Sequence, residues 1–321
     1  MTTMLGAKST ADKVLADIDL KGKRYLITGI SSGIGLETAR SLVCHGATVL
    51  GAVRDLAKTE AATAFIREST SQRAGRLDLI ELDLASLKSV RACASRLLGS
   101  GWQLDAVIAN AGVMATPFGR TADGFETQFG INHIGHFAFI NGIEPLLVDG
   151  GRLVVLSSQA HRVADIDLDD PNFERQAYDP FVAYGRSKTA NALFALAFDG
   201  RHRDRGVRAA SVMPGNSLTE LARHFSQEAL QSLLETVQKA RAEGGLPPAV
   251  LKEIPQAAAT SIWAAVVADK DEIGGQYLED CAVAEINDTA NPFADGVRKY
   301  ALDPVRGKPR PSGRGRIAGT P

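Results

Sequence analysis

The chain has 321 residues, 45% of them hydrophobic, which suits one large globular domain or two smaller ones. Its formal net charge of −1 argues against a general binder of nucleic acid or acidic membranes, which would be basic. The three cysteines, Cys44, Cys93 and Cys281, are far apart in the sequence. Neither a disulfide framework nor a structural zinc site is indicated, so we expect a reducing, cytoplasmic location.

Residues 1–22 form an N-terminal extension in which charged residues interrupt short apolar steps. Ser9-Thr10-Ala11-Asp12 has the capping hydroxyl and acid that are typical of a helix start, which predicts a short helix to Ala16. The extension lacks the apolar run of a signal peptide. No stretch of the chain reaches the roughly 18 apolar residues that span a bilayer, so we expect no membrane association.

From residue 23, short apolar runs alternate with longer amphipathic runs, which predict strands and helices respectively. The predicted strands are Arg24–Thr28, Thr48–Val53, Asp78–Leu82, Ala106–Ala109, Arg152–Ser157 and Ala209–Val212. The predicted helices are Gly33–His45, Leu87–Leu98, Gly124–Asn141 and Tyr184–Phe198. This alternation predicts an α/β fold, a single Rossmann-type doubly wound parallel sheet with helices on both faces.

The pattern changes after Ser217, where Leu218–Ala242 is largely helical. A glycine- and proline-rich break precedes a helix over about Gln256–Ala268 and a last strand near Gly274–Leu278. We assign residues 23–305 to one domain. Two of its segments, about 159–183 and 217–257, are expected to shape a pocket mouth. Residues 306–321 are rich in Arg, Gly and Pro, and we expect a disordered tail there.

A glycine-rich motif joins the first strand to the first long helix, which is the context of a dinucleotide-binding loop. The helix N-terminus would offer free N–H groups and a partial positive charge to a pyrophosphate. Gly29 permits the tight turn, Gly33 the close approach of the phosphates, and Gly35 the packing of helix against strand. The predicted contacts from this loop are Gly29, Ser31, Ser32, Gly33, Ile34 and Gly35.

A second motif, Tyr184-Gly185-Arg186-Ser187-Lys188, places a phenol and an ammonium four residues apart on one helix face. An ammonium near a phenol favours the phenolate and lowers the pKa of the tyrosine from its usual value near 10. Tyr184 and Lys188 therefore form a candidate acid/base pair.

With these motifs, the chain resembles the short-chain dehydrogenase/reductase family over about residues 22–277. The resemblance implies a catalytic set of Asn132, Ser158, Tyr184 and Lys188. It also implies cofactor contacts after the third, fourth and sixth strands, at Asp83, Leu84, Asn110, Ala111, Gly112, Pro214, Gly215 and Thr219. Within the family, the sequence of residues Asp123–His133 is most similar to the branch of retinol dehydrogenases and the WW-domain-containing oxidoreductase.

The end of the second strand indicates the cofactor. Val53 stands where the family's NAD users have an acid that binds the ribose 2′-hydroxyl, and Arg54 follows. A guanidinium pairs bidentately with phosphate oxygens, so we expect NADP(H) rather than NAD(H). Ser31 could add a hydroxyl contact. Asp55 remains open, since it could pair with Arg54 or approach the ribose.

The resemblance implies an NADP(H)-dependent oxidoreductase that interconverts an alcohol and a ketone or aldehyde by hydride transfer. Tyr184 would move the hydroxyl proton, Lys188 would bind the nicotinamide ribose, Ser158 would orient the substrate oxygen, and Asn132 would anchor a water. It also implies a small-molecule substrate and dimers or tetramers. The alternative is a non-catalytic NADP-binding sensor or scaffold on the same fold.

Several weaker candidates remain. Apolar residues between Leu218 and Leu234 could contact a bulky apolar or aromatic substrate, or could merely pack their helix. His133 and His136 lie one helical turn apart, but no third ligand is marked, so packing is favoured over a metal site and no metal is expected. His161 could line the pocket. Ser157 rivals Ser158, which the family spacing favours.

Overall fold

One eight-stranded sheet forms the centre of this computed structural model, which describes residues 4–69, 75–217, 221 and 226–306. Neighbouring strands are parallel up to the seventh, and the seventh and eighth are antiparallel. The strands are β1 (Arg24–Thr28), β2 (Thr48–Val53), β3 (Arg76–Glu81), β4 (Leu104–Ala109), β5 (Leu147–Leu156), β6 (Arg208–Met213), β7 (Tyr277–Glu279) and β8 (Ala282–Val283). Their order across the sheet is β3-β2-β1-β4-β5-β6-β7-β8. The order reverses between β1 and β4, and this reversal opens a crevice at the carboxyl ends of the strands.

Helices cover both faces of the sheet and enclose two apolar layers. One layer packs α1, α2, α3 and α9 against the sheet, and the other packs α4, α6 and α7. The helices are α1 (Ala11–Val14), α2 (Gly33–Cys44), α3 (Leu56–Ser69), α4 (Leu87–Leu98), α5 (Thr127–Phe129), α6 (His136–Ile143), α7 (Pro180–His202), α8 (Gln227–Glu243), α9 (Ile254–Ile262) and α10 (Lys270–Ile273). The predicted doubly wound α/β fold is confirmed. Within the described residues, no helix combines the length and apolar character needed to cross a membrane.

The predicted bounds of β1, β2 and α4 agree with the structure, whereas other elements differ. Helix α3 was not predicted, and the antiparallel β8 departs from a purely parallel sheet. Helix α7 begins four residues before Tyr184, because Asp179 accepts hydrogen bonds from the N–H groups of Phe181 and Val182. Pro180 follows this cap at the first helical position, which it suits.

The helix predicted over Gly124–Asn141 is interrupted. Residues Gly130–Gly135 form a π-helical turn between α5 and α6. Such a turn inserts a residue into the helix and is common at functional sites. Here it contains Asn132, whose side chain is fully buried. The turn therefore aims Asn132 inward, beneath the crevice of the sheet.

The N-terminal extension packs into the core. Thr10 accepts a hydrogen bond from the N–H of Lys13, as its capping role predicts. Ala11 and Leu15 are fully buried in the layer that contains α2 and α9. Asp12 pairs with Arg40 of α2 at 2.7 Å, so polar contacts reinforce the apolar ones.

The packing around α8, which follows β6, is different. Helix α8 buries only one side chain, that of Arg241. Its guanidinium donates to the carbonyls of Pro247 and Phe293 and pairs with both oxygens of Asp295. Of the helix predicted over 218–242, residues 218–220 and 222–225 lie outside the described residues, as does the predicted tail from residue 307.

Candidate active site

A cleft of about 370 Å³ lies at the carboxyl ends of the strands, where the order of the sheet reverses. Most of the predicted cofactor residues line it: Gly29, Ser31, Ser32, Gly33, Ile34, Gly35, Arg54, Asp83, Leu84, Asn110, Ala111, Gly112, Tyr184, Lys188 and Pro214. Gly215 is not among the lining residues, and Thr219 lies outside the described part of the chain. The fold therefore gathers into one cavity residues that are far apart in sequence.

The glycine loop between β1 and α2 has the backbone that its sequence predicts. Gly29 and Gly33 adopt left-handed φ angles of +73° and +57°, which favour glycine. A Cβ on Gly35 would lie 2.3 Å from the carbonyl oxygen of Gly29. The absence of a side chain on Gly35 thus lets the loop pack closely against the start of α2.

Asn110 holds this loop in place from the end of β4. Its side-chain amide donates to the carbonyls of Thr28 and Gly29 at 2.9 and 3.1 Å. The backbone N–H groups of Asn110 and Ala111 both donate to the hydroxyl of Thr28. That hydroxyl also lies 2.9 Å from Nε2 of His136. Asn110 therefore fixes the backbone of the glycine loop by hydrogen bonds, a role that the sequence motif alone did not specify.

Arg54 is exposed immediately after β2 and lines the far end of the cleft. Asp55, which the sequence left open, accepts a hydrogen bond from the backbone N–H of Lys58 and so caps the first turn of α3. Lys58 lines the same end of the cleft. Sequence reasoning missed this second cation, because its position became meaningful only once α3 was known to begin at Leu56.

Tyr184 and Lys188 face the other end of the cleft from successive turns of α7. The ammonium nitrogen of Lys188 lies 5.5 Å from the centre of the Tyr184 ring and donates to the carbonyl of Leu156. Burial raises the pKa of Tyr184 to about 12, against a hydrogen bond with Ser158 that lowers it. Burial also lowers the pKa of Lys188 to about 8. The prediction of a lowered Tyr184 pKa is therefore wrong for the protein alone, because the loss of solvent outweighs the hydrogen bond with Ser158.

The two serines after β5 have separate roles. The hydroxyl of Ser157 donates to the carbonyl of Lys188 and is buried. The hydroxyl of Ser158 accepts a hydrogen bond from the N–H of Ala160 and contacts Tyr184. The geometry thus ties Ser157 to the backbone of α7 and leaves Ser158 beside the phenol.

Asn132 joins the loop after β4 to α7. Its side-chain oxygen accepts from the N–H of Val113, and its amide donates to the carbonyl of Val113 and the hydroxyl of Ser187. Its backbone carbonyl lies 3.0 Å from Nδ1 of His136. His133 instead contacts the side chain of Asn191. The paired histidines are thus both engaged in polar contacts within the fold, and in the described residues no group of His, Cys, Asp or Glu is placed to hold a metal ion.

The long segment between Ser158 and Tyr184 is anchored from within the tyrosine–lysine motif. Arg186, largely buried, donates to the carbonyl of Asp170 and to the side chain of Gln176. Its guanidinium also lies 4.6 Å from the ring centre of Phe173. Arg186 therefore fixes the position of this segment relative to α7.

The comparisons with known proteins identify the family. A family model described as short chain dehydrogenase matches residues 23–230. A short-chain dehydrogenase/reductase of Penicillium roqueforti is 38% identical over 93% of this chain and 86% of its own length. Human retinol dehydrogenase 14 is 37% identical over 83% of this chain and 81% of its own. The chain therefore belongs to the short-chain dehydrogenase/reductase family of oxidoreductases, in the predicted branch.

Solved structures agree with this assignment. The crystal structure of an uncharacterized protein from Mycobacterium paratuberculosis superimposes with a TM-score of 0.66 at 31% sequence identity. The match covers 94% of this chain and 93% of the other. The shared fold thus extends beyond the part of the chain from β1 to β6 and includes the region after β6.

Proposed function

We propose that this oxidoreductase uses NADP(H) to interconvert an alcohol and a ketone or aldehyde, with Tyr184 as the acid/base. The observation that carries the proposal is that the glycine loop and the pair of Tyr184 and Lys188 line one cleft, with Ser158 beside the phenol. An acid/base must lie within hydrogen-bond reach of the reacting oxygen, and a substrate in this cleft would be held against the phenol.

The cleft fits a nicotinamide dinucleotide. The glycine loop leads into the N-terminus of α2, where the side chain of the capping residue Ser32 makes no hydrogen bond to the helix. The N–H groups of this first turn favour a pyrophosphate. Arg54 and Lys58 at the far end offer positive charge to a 2′-phosphate. When bound, the dinucleotide supplies or accepts the hydride.

The residues of this chain would manage the proton and the orientation. Tyr184 donates a proton to the carbonyl oxygen in reduction and accepts it in oxidation. Lys188 binds the nicotinamide ribose, and Ser158 hydrogen-bonds the substrate oxygen beside the phenol. Asn132 holds the loop of Val113 against α7, which keeps this wall of the cleft rigid.

The apolar side chains of the cleft support an apolar or aromatic substrate. Val113, Ile131, Leu156 and Leu221 all line it. Apolar walls with a few convergent polar groups are typical of small-molecule sites.

Replacing Tyr184 with phenylalanine tests the acid/base. The ring keeps its packing, so the variant should fold and bind NADPH as the wild type does. Turnover of a panel of aromatic ketones and aldehydes, followed by NADPH absorbance, should fall at least about 100-fold. The wild-type rate of alcohol oxidation should rise with pH and that of carbonyl reduction should fall, because oxidation needs the phenolate and reduction the phenol. Near-normal turnover by Tyr184→Phe would overturn the proposal.

Replacing Arg54 with alanine tests the cofactor. Loss of one charge-assisted contact costs about 1.5–3 kcal/mol, which corresponds to roughly a ten- to a hundred-fold weaker binding of NADPH. Binding of NADH, measured in parallel by fluorescence titration, should change little. Equal losses for the two cofactors would show that Arg54 does not bind the 2′-phosphate.

A further inference from the structure

The backbone carbonyl of Ser158 is held by one distant side chain and one from the turn that follows it. The hydroxyl of Tyr277, on β7, donates to this oxygen at 3.0 Å. Nδ1 of His161 lies 2.8 Å from the same oxygen. Both side chains are fully buried, so neither contact is exposed to competition from solvent. A carbonyl that accepts from two buried donors has a fixed direction.

The second nitrogen of His161 determines which atom carries its proton. Nε2 lies 3.1 Å from the backbone N–H of Arg298, which can only donate. Nε2 is therefore the acceptor, and the proton of the neutral ring lies on Nδ1. Burial lowers the pKa of His161 to about 4, in agreement with a neutral ring. Nδ1–H then points to the carbonyl of Ser158, with the hydroxyl of Tyr277 at 3.0 Å.

Ser158 lies where the sheet ends and a 3-10 turn over Gln159–Arg162 begins, and the backbone N–H of His161 in that turn also donates to its carbonyl. Strand β5 ends at Leu156, and the N–H of Ser157 makes a last ladder-like bond to the carbonyl of Val212. The peptide of Ser158 therefore lies just beyond the regular ladder. The orientation of this peptide sets the direction of the Cα–Cβ bond of Ser158, and therefore where its hydroxyl points. That hydroxyl contacts Tyr184.

We propose that Tyr277 and His161 are positioning residues that hold the carbonyl of Ser158 and thereby aim its hydroxyl at the substrate oxygen. The inference rests on the proposed function of Ser158. The region after β6 thereby helps to position Ser158, since β7 supplies one donor and Arg298 fixes the tautomer of the other. Tyr300 adds a hydrogen bond to the carbonyl of His161 from the same segment.

Hydrogen exchange without any substrate tests the positional part of the inference. Tyr277→Phe removes one hydroxyl, and Tyr25→Phe is a matched control because Tyr25 is a buried tyrosine on β1, 3% exposed. We expect the peptide that spans residues 157–163 to exchange at least about tenfold faster in Tyr277→Phe than in the wild type or in Tyr25→Phe. Equal exchange of this peptide in the two tyrosine variants would overturn the inference.

A double-mutant cycle tests the coupling to Ser158. Tyr277→Phe should lower kcat about tenfold for reduction of an aromatic aldehyde such as benzaldehyde and leave the Kd of NADPH unchanged within about twofold. In the Ser158→Ala background the same change should lower kcat less than about twofold, because its effect passes through the missing hydroxyl. Equal losses in both backgrounds would show a merely structural role. If instead Tyr184→Phe retains turnover, the proposed function fails and the exchange result still decides the positional claim.

Discussion

Two regions of this molecule are held together by different forces. From β1 to β6 the chain is packed by apolar side chains, and the inner residues of β1, β2 and β6 are almost completely buried. Helix α8, which follows β6, buries only Arg241. Its leucines, such as Leu234, are only half-buried. The sheet and the helices packed on it, α9 included, are therefore built as a core, and α8 as an attached layer.

Buried arginine side chains hold segments without regular secondary structure by hydrogen bonds to their backbone carbonyls. Arg162, buried directly after His161, donates to the carbonyls of Asn287, Thr289 and Asn291. Arg186 and Arg241 bind carbonyls of two other segments in the same way. A guanidinium has five N–H donors and can satisfy several backbone carbonyls at once. Loops with little apolar content can thus be fixed in place around a site, whatever their own side chains are.

The largest expected contrast comes from one substitution made in both regions. Leu26→Ala removes a fully buried side chain of β1 and should cost about 2–5 kcal/mol of the free energy of unfolding. Leu234→Ala in α8 should cost less than about 1 kcal/mol, because little apolar area is lost. Urea denaturation measures both values. Similar losses would contradict the division of the molecule into core and attached layer.

An intermediate effect is expected from Arg241→Met, which keeps an apolar stem and removes every hydrogen bond. We expect a loss of about 1–3 kcal/mol, confined to the attached layer. Hydrogen exchange should therefore speed up over 227–243 and 287–296, with β1 to β6 unchanged. Lys239→Met on the same helix is the control, since its pair with Glu243 is exposed and spans 4.0 Å. Faster exchange throughout the sheet would show that Arg241 supports the core as well.

The smallest effect concerns the end of the chain. Arg306 pairs with Asp165 at 2.6 Å, and both side chains are partly exposed. A chain that ends at Arg306 should keep the melting temperature and turnover of the full chain. A chain that ends at Val305 should lose at most about 1 kcal/mol. A larger loss from either truncation, measured by calorimetry, would show that this end supports the layer more than an exposed ion pair can.

Apolar patterning explains which elements were predictable. Strands β1 and β2 are continuous apolar runs, which is typical of strands buried on both faces. Helix α3 was missed because its sequence, from Leu56 to Ser69, is mostly polar or small and carries few large apolar residues. Asp179-Pro180, a capping residue followed by proline, indicates the early start of α7. The tyrosine–lysine motif begins four residues after this proline and gives no sign of that start.

The candidate site divides in the same way. The glycine loop and the spacing of Tyr184 and Lys188 are local patterns, so the sequence could place them in one cleft. The contact between Tyr277 and His161 joins residues 116 positions apart, and neither belongs to a local motif. Isolated tyrosines and histidines give no signal of such partners. Ionisation is equally hidden, since the pKa of Tyr184 depends on a burial that only the folded chain creates.

The hydrogen bond from Tyr277 to the carbonyl of Ser158 has a consequence for the order in which the site forms during synthesis. A ribosome that has released residues up to β6 has already made the glycine loop, Tyr184 and Lys188. Tyr277 and Arg298 follow β6 in the chain and emerge later. A chain at that stage therefore has the lining of the cleft but lacks the hydroxyl that Tyr277 donates to the carbonyl of Ser158. The alignment of the Ser158 hydroxyl would therefore be acquired later than the lining of the cleft.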